Sequence, residues 1–249
     1  MNKIISDPKY VLGERRPEVT ICVPTYNRGK LALKNLKLML TSDFSSSWQI
    51  LILDNGSLWQ QEEYFQIEEM SKKDSRIKYV RKKENTGFGA NVLDCFLHAS
   101  SNYLVFISDE DIAEPNGLRS ICKLFRTNPE LVAVRGSVGS IDGTFKGNSF
   151  RFEDRILVSP EDRFKKYSIF NNYISGSAYN RNRILKHGLI ERVRKGLKNH
   201  IDYPHIYLDV LVSAVGPVAN SSIVLALEGE GSHEGQSDYI NAYKLGRRI

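Results

Sequence analysis

The stretch YLVFISDEDIAEPNGL, residues 103–118, decides how the chain is to be read. It opens on an almost wholly apolar run, Tyr103 to Ile107, passes Ser108, and then presents three carboxylates in a row, Asp109, Glu110 and Asp111. A short apolar run bounded by polar residues is the pattern of a strand buried on both faces, as in a parallel sheet. Adjacent carboxylates repel one another, which raises the pKa of at least one unless a cation or hydrogen-bond donors compensate. Part of the acidity has an ordinary explanation, because Asp111 or Glu114 next to Pro115 suits the first turn of a helix. Capping does not need three acids in tandem. Asp109, Glu110 and Asp111 are therefore candidate ligands for a hard cation, Mg²⁺ or Mn²⁺, which takes oxygen ligands and completes its shell with water and phosphate.

Working outward, the same strand pattern occurs in VTICVP from Val19, QILILD from Gln49 and RIKYV from Arg76. Between these runs, KLALKNLKLMLTS, QEEYFQIEEMSKK and GANVLDCFLHASS read as helices, the first with Leu33, Leu36 and Leu40 along one face. Alternating strands and helices predict an α/β fold with a parallel sheet, in which ligands gather at the carboxyl ends of the strands. Beyond the helix expected in NGLRSICKLFRTNPE the pattern changes. LVAVRGSV reads as a strand, SIDGTFKGNSFRFEDR as a turn-rich insertion or hairpin, and three helical segments are expected from about Glu161 to Ala214.

The composition of the 249 residues is that of an ordinary globular protein, with room for one large α/β domain or two small ones. Cys22, Cys95 and Cys122 are widely spaced and form no CxxC pair, so they read as reduced core residues of a cytosolic protein. No run approaches the roughly 18 apolar residues of a membrane span, and the N-terminal MNKIISDPKYVLGERRPE has no signal-peptide run. The formal charge is +6, with basic clusters in YVRKK, RKGLKNH and KLGRR. Such charge suits an anionic membrane surface, phosphorylated small molecules or a plain solvated face; nucleic acid is disfavoured because no binding-module signature occurs.

Every chemically suggestive group of the first half follows a strand: PTYNR (24–28), DNGS (54–57), NTGFGAN (85–91) and SDED (108–111). DNGS alone could be a plain Asn-Gly turn. NTGFGAN carries Val92 where a dinucleotide fingerprint needs its third glycine and follows the third strand, so Gly87 and Gly89 read instead as close-approach positions for a phosphate near a helix N-terminus. The Walker pattern and the GxSxG elbow are absent. His98, His187 and His200 read as helix-surface residues. His205, in DYPHIYLD, lies where Pro204 would start a helix with Asp202 and His205 at its mouth, and His233 lies in the Gly-rich acidic stretch EGEGSHEGQSD.

Taken in order, these four motifs resemble the nucleotide-sugar half of the GT-A glycosyltransferases of family 2, over roughly residues 17–128. The resemblance implies a single GT-A domain over residues 1–249, with a mostly parallel central sheet flanked by helices, a nucleotide-sugar half (17–128) and an acceptor-side half (129–249). It assigns Pro24, Thr25, Tyr26 and Arg28 to a base and ribose pocket, Asp54 to a hydrogen bond from the base, Gly87 and Asn91 to the border of the phosphates and ribose, and Asp109 to the donor site. A divalent cation, Mn²⁺ or Mg²⁺, would bridge the diphosphate. The commonest family pattern is Asp-x-Asp-Asp; aligned on Glu114-Pro115, Ser108 takes its first position and Glu110 its second, which leaves open which acid of the triplet holds the metal.

The implied chemistry is inverting transfer of a sugar from a nucleotide-diphosphate sugar to a hydroxyl, assisted by a general base. Counting back from Gly216, that base falls near His205, with Asp202 and Asp209 flanking; His205 is preferred for its pKa and Asp202 is the alternative. The YPH and ISDED variants resemble transferases of bacterial O-antigen and capsule synthesis, including the abequosyltransferase-like group. That implies a saccharide or lipid-linked acceptor and peripheral contact with the anionic inner face of the cell membrane. The chain stops soon after the Gly-rich stretch, leaving room for a further acceptor- or membrane-binding region. A sugar-nucleotide nucleotidyltransferase and an inactive nucleotide-binding scaffold are the alternatives.

Overall fold

The computed structural model describes residues 16–41, 44–140, 151–168, 173–197 and 203–229. Its first half follows the expected alternation: β1 (Val19–Thr25), α1 (Gly29–Thr41), β2 (Trp48–Asp54), α2 (Gln61–Lys73), β3 (Ile77–Arg81), α3 (Phe88–His98) and β4 (Tyr103–Phe106). These strands pair in parallel in the order β3-β2-β1-β4. Their residues alternate between two cores. Val19, Ile21 and Val23 of β1 and Ile50 and Ile52 of β2 enter one cluster with Leu33 and Leu36 of α1 and Tyr64 and Ile67 of α2. Cys22, Leu51 and Leu53 enter the other with Val92, Leu93 and Phe96 of α3. A strand apolar on both faces must be covered on both faces, and the helices fall on alternate sides accordingly. Cys22, Cys95 and Cys122 are buried and unbridged, as core residues.

The second half completes the sheet with β5 (Ile112–Ala113), α4 (Pro115–Thr127), β6 (Ala133–Ser140), β7 (Arg155–Leu157), α5 (Pro160–Arg163), a π-helical turn (Phe164–Ser168), β8 (Ser177–Asn180), α6 (Arg181–Lys186), α7 (Leu189–Leu197), α8 (Pro204–Val215) and β9 (Val218–Glu228). The sheet runs β3-β2-β1-β4-β8-β6-β9-β5, with β7 also on β9. The parallel arrangement is confined to the first half and to β6–β9; β8 runs antiparallel to both β4 and β6, so the whole sheet is mixed. The chain enters β8 through Gly176, whose left-handed φ of 83° and N–H bond to the Phe106 carbonyl set it directly against β4. An antiparallel neighbour of this kind needs no crossover helix.

Glu114 caps α4 by accepting from the Gly117 N–H, so the ordinary reading of acidity near Pro115 holds for Glu114 and not for Asp111. Helix α8 is rooted on the sheet by a buried ion pair. Arg135 of β6 and Asp209 of α8 are 1% and 0% exposed and pair directly. Arg135 also donates to the Ser177 hydroxyl at 2.8 Å and lies over the Tyr167 ring, while the Tyr179 hydroxyl donates to Asp209 at 2.8 Å. Asp209 is thereby committed to holding α8 on the sheet and is removed from the acids flanking the expected base. Among the described residues no helix is long and apolar enough to cross a membrane.

Gly117 marks where α4 packs on β9. Alanine is ordinarily about 1 kcal/mol better than glycine in a helix. Here the added Cβ would fall onto the Val224 backbone carbonyl of β9, which cannot rotate away. Gly117→Ala therefore lowers stability by about 1–3 kcal/mol, the range for forced overpacking; an unchanged or raised urea midpoint would contradict this packing.

Candidate active site at the strand ends

Parallel register brings Thr25 opposite Asp54 and Asp54 opposite Arg81, so three strands end at one level. The loops leaving them are stitched together by side chains. After β1 the chain turns at Asn27, which takes a left-handed φ of 58°. Its Oδ1 accepts from the N–H groups of Leu58 and Trp59 at 2.8 and 3.1 Å, and its own N–H donates to the Ser57 hydroxyl. Asp54 is fully buried. It accepts from the Ser57 N–H at 2.9 Å and the Tyr79 hydroxyl at 3.0 Å, with Arg81 at 3.5 Å. The DNGS turn thus uses the carboxylate that the resemblance assigns to the base.

Asn55, unremarked in the sequence, joins this turn to the next loop. Its Nδ2 donates to Asn85 Oδ1 at 2.7 Å and to the Gly87 carbonyl at 3.2 Å, and its Oδ1 accepts from the Thr86 N–H and hydroxyl, each at 3.1 Å. Gly56, at φ 74°, lies on the Glu84 backbone. Gly87 is exposed at the uncapped N-terminus of α3 with φ 85°. Asn91, assigned to the border of the phosphates and ribose, is buried, and its Nδ2 donates to the Leu53 carbonyl at 3.0 Å, tying α3 to the end of β2.

The carboxylate triplet does not converge. Asp109 accepts from the Thr25 hydroxyl at 2.8 Å and pairs with Arg28 at 2.8 Å, while Asn35 of α1 donates to its carbonyl. Asp111 turns the other way and accepts from the Tyr173 and Ser175 hydroxyls, both at 2.6 Å, and from the Gly229 N–H at 3.3 Å. Burial pushes both carboxyls up to about 6, against the pull of Arg28 and Thr25 on Asp109 and of the two hydroxyls on Asp111. Glu110, 16% exposed, pairs with Arg28 and is the one acid of the three with its side chain partly open. Gly229, at the end of β9, lies on the Glu110 carbonyl with no room for a Cβ.

One expectation is thereby corrected. Among the described residues no three His, Cys, Asp or Glu side chains gather as a cation cage, because the strand end sends neighbouring acids to opposite sides. The donor set fits instead a cation that takes one protein carboxylate, Glu110, and phosphates and water for the rest. Arg28, which the resemblance assigns to a base and ribose pocket, pairs with Asp109 and Glu110. Of the other PTYNR residues, Pro24 lies buried inside β1, Thr25 donates inward to Asp109, and Tyr26 is half-buried. Tyr64 of α2 supports the loop by accepting from the Arg28 N–H at 3.1 Å and bonding Thr25 Oγ1 at 2.8 Å; burial pushes its hydroxyl up to about 12.

Pro204 starts α8 as expected, in its first turn, and His205 follows it. His205 is 2% exposed, with the edges of Phe88 and Tyr203 against it at ring-centroid distances of 6.3 and 6.1 Å. Since Phe88 opens α3, the mouth of α8 lies on the strand-end side of the sheet. Asp202, His200 and His233 lie outside the described residues.

The model of glycosyl transferase family 2 matches residues 20–188. A putative colanic acid biosynthesis glycosyl transferase of Escherichia coli K12, WcaA, is 24% identical over 165 residues, 66% of this chain and 56% of that protein. The uncharacterized glycosyltransferase MJ1057 of Methanocaldococcus jannaschii is 26% identical over 152 residues, 58% of this chain and 52% of its own length. The chain thus spans about half the length of these curated relatives. Among solved structures, S. aureus TarS 1-349 superposes with a TM-score of 0.62 at 14% identity over 92% of this chain and 64% of that one. Its complexes with UDP and UDP-GlcNAc score 0.62 and 0.57, covering 86% and 88% of this chain and 60% and 61% of theirs, at 15% and 14% identity. These likenesses show the GT-A fold.

The Asn55 stitch is testable by itself. Asn55→Ala takes the bond from the Thr86 N–H and removes the bonds to Asn85 and the Gly87 carbonyl, which lowers stability by about 1–3 kcal/mol. Amide exchange of Thr86 and Gly87 accelerates while that of β1 and β2 is unchanged. Equal exchange at Thr86 in variant and wild type would show that the loop is held by something else.

Proposed function

The chain belongs to glycosyl transferase family 2, and on that premise we propose that it moves a sugar from a nucleoside-diphosphate sugar to a hydroxyl of a saccharide or lipid-linked saccharide, with inversion, in surface-polysaccharide synthesis. The observation that carries this reading is the convergence of loops from β1, β2, β3 and β4 at one end of the sheet, with the Arg28–Asp109–Glu110 cluster between them. TarS, solved with UDP and UDP-GlcNAc, and WcaA, named for colanic acid biosynthesis, support the substrate class. The division into a donor half (17–128) and an acceptor half (129–249) is part of the same proposal.

In this reading Asn27, Asn55 and Tyr64 fix the loops that receive the nucleotide, and Asp54 meets the base from the end of β2. Glu110 would hold a divalent cation, Mn²⁺ or Mg²⁺, whose contribution when bound is to neutralise charge on the leaving diphosphate. Asp111 anchors the Tyr173–Ser175 segment and the end of β9 around the site. The general base comes from the mouth of α8. His205 is the described candidate and Asp202 its alternative, and a side-chain movement that brings the buried ring to the acceptor is part of the proposal.

A lipid-linked acceptor at the cytoplasmic face of the membrane is supported by a basic face. Strand alternation sends Lys78 and Lys82 of the β3 segment toward α3, where Lys82 and Arg194 of α7 share Asp94, and Lys83, Arg192 and Lys195 are exposed beside them. Lys82 of YVRKK and Arg194 of RKGLKNH thus meet at Asp94. Co-sedimentation with anionic vesicles, lost at high salt, is the check; no sedimentation at low salt would remove the membrane from the proposal.

The deciding experiment is titration with UDP, with and without Mn²⁺, followed by turnover with donor and acceptor. Mn²⁺-dependent UDP binding supports the transferase, and Glu110→Gln loses about tenfold or more of that dependence. A preference for nucleoside triphosphates points to a nucleotidyltransferase, and no nucleotide binding to an inert scaffold. His205→Ala lowers kcat by roughly 10²–10⁴ with donor affinity retained; a loss below tenfold, about the smallest effect assignable to a lost base, transfers the role to Asp202.

A further inference from the structure

The guanidinium of Arg28 occupies the position where positive charge is wanted. Nη1 lies 2.8 Å from Asp109 Oδ1, and Nη2 pairs with Glu110 Oε2. The two hydrogen-bond anchors of this loop act elsewhere: the Arg28 N–H is held by Tyr64, and Asp109 keeps the Thr25 hydroxyl through its other oxygen. The backbone at Arg28 is therefore fixed, while its side chain, 17% exposed, spans to carboxylates with different freedom. Asp109 is 3% exposed and hydrogen-bonded inward, whereas Glu110 is more open, with Arg28 as its side-chain partner.

We propose that Arg28 is the counter-cation of the empty site and the diphosphate ligand of the filled one. It covers Glu110 until a donor arrives, then leaves Glu110 to the divalent cation and takes the donor's diphosphate. The proposal rests on the reading of this site as a nucleoside-diphosphate site with Glu110 as its cation ligand.

The argument is electrostatic. A guanidinium and a divalent cation on one carboxylate compete for its oxygens and repel each other at that separation, so each weakens the other's hold on Glu110. A guanidinium displaced from Glu110 keeps Asp109 but loses one of its two carboxylates, and a new anion restores the charge balance of a partly buried site. A diphosphate offers paired oxygens that match the two-pronged fork of arginine, and it is delivered together with the cation. Cation alone must take Glu110 from Arg28 and leave it Asp109 as its carboxylate; nucleotide alone finds Arg28 already engaged with both. Each ligand therefore binds weakly by itself and strengthens the other, a coupling that is reciprocal by linkage. Asp109 retains Thr25 throughout and keeps Arg28 within reach of both positions.

The test is Mn²⁺ binding followed by the paramagnetic resonance signal of free Mn²⁺, with and without UDP, in the wild type, Arg28→Gln and Arg28→Lys, after circular dichroism has shown each to be folded. In the wild type UDP should tighten Mn²⁺ binding by about tenfold or more, within the usual range of coupling between sites. Arg28→Gln uncovers Glu110, so Mn²⁺ alone binds about fivefold to tenfold tighter than to the wild type, and the strengthening by UDP falls toward none. Arg28→Lys, which keeps the charge and loses the two-pronged hold, shifts both quantities the same way by less, and it carries the comparison if Arg28→Gln does not fold. Arg28 variants that bind Mn²⁺ alone no tighter than the wild type, or that keep its full coupling to UDP, overturn the proposal. A wild type that binds UDP identically with and without Mn²⁺, or not at all, instead overturns the underlying reading of the site.

Discussion

The parallel register of β1, β2, β3 and β4 is the constraint from which the rest follows. Because Thr25, Asp54 and Arg81 stand side by side, loops that are distant in sequence leave the sheet at the same height and must be accommodated together. Each loop then becomes a partner for another's backbone. Asn27 serves the turn after β2, Asn55 serves the loop after β3, and Thr25 serves the carboxylate after β4. An irregular segment must place its backbone hydrogen bonds somewhere, and here short polar side chains at strand ends receive them. The rigidity of the site comes from this mutual satisfaction, since none of these loops is long enough to form a core of its own.

Three consecutive acids meet different conditions within a few residues. The first is drawn under the sheet toward Arg28, the third is enclosed by two hydroxyls and the end of β9, and the middle one keeps a partly open side chain. Separation relieves the repulsion that three neighbouring charges would otherwise suffer, and the raised values of Asp109 and Asp111 show that burial adds its own cost to ionisation. The tandem sequence is therefore one partly open acid between two structural ones. It also draws the far half of the chain to the site, because Asp111 is held by Tyr173, Ser175 and Gly229.

Much of this was legible in the sequence, to different depths. The limits of α2 coincide with the run QEEYFQIEEMSKK, and the early strands lie where apolar runs predict them, because burial on both faces leaves a clear mark. The long strand β9 leaves no such mark. VANSSIVLALE contains Asn220, Ser221 and Ser222, which are bonded by Lys166 and Asp154, and its pairing with β6 shifts register twice, so neither a two-residue alternation nor a pure apolar run survives. The motifs located the site but not the direction of its side chains. The partners of Arg28 and Asn91, two carboxylates and the Leu53 carbonyl, were not legible, since a motif fixes where a residue sits along the chain while its partners come from other elements. Tyr64, on the buried face of a helix, reads from sequence as core packing alone; only the fold shows its hydroxyl beneath the PTYNR loop.

The pair of Arg135 and Asp209 has a consequence for how this chain can change over generations. Either residue altered alone strands a full charge in the interior, whereas exchange of both for apolar groups of similar volume removes the problem altogether. Drift at these two positions is thus closed to single steps and open to joint ones. Ser177, whose hydroxyl accepts from Arg135, and Tyr179, whose hydroxyl donates to Asp209, are coupled to that choice, because loss of the charges would leave both hydroxyls in an apolar interior. Four residues on three elements therefore form one heritable unit at the root of α8, and the helix mouth that carries His205 can be rebuilt freely only while that unit stays whole.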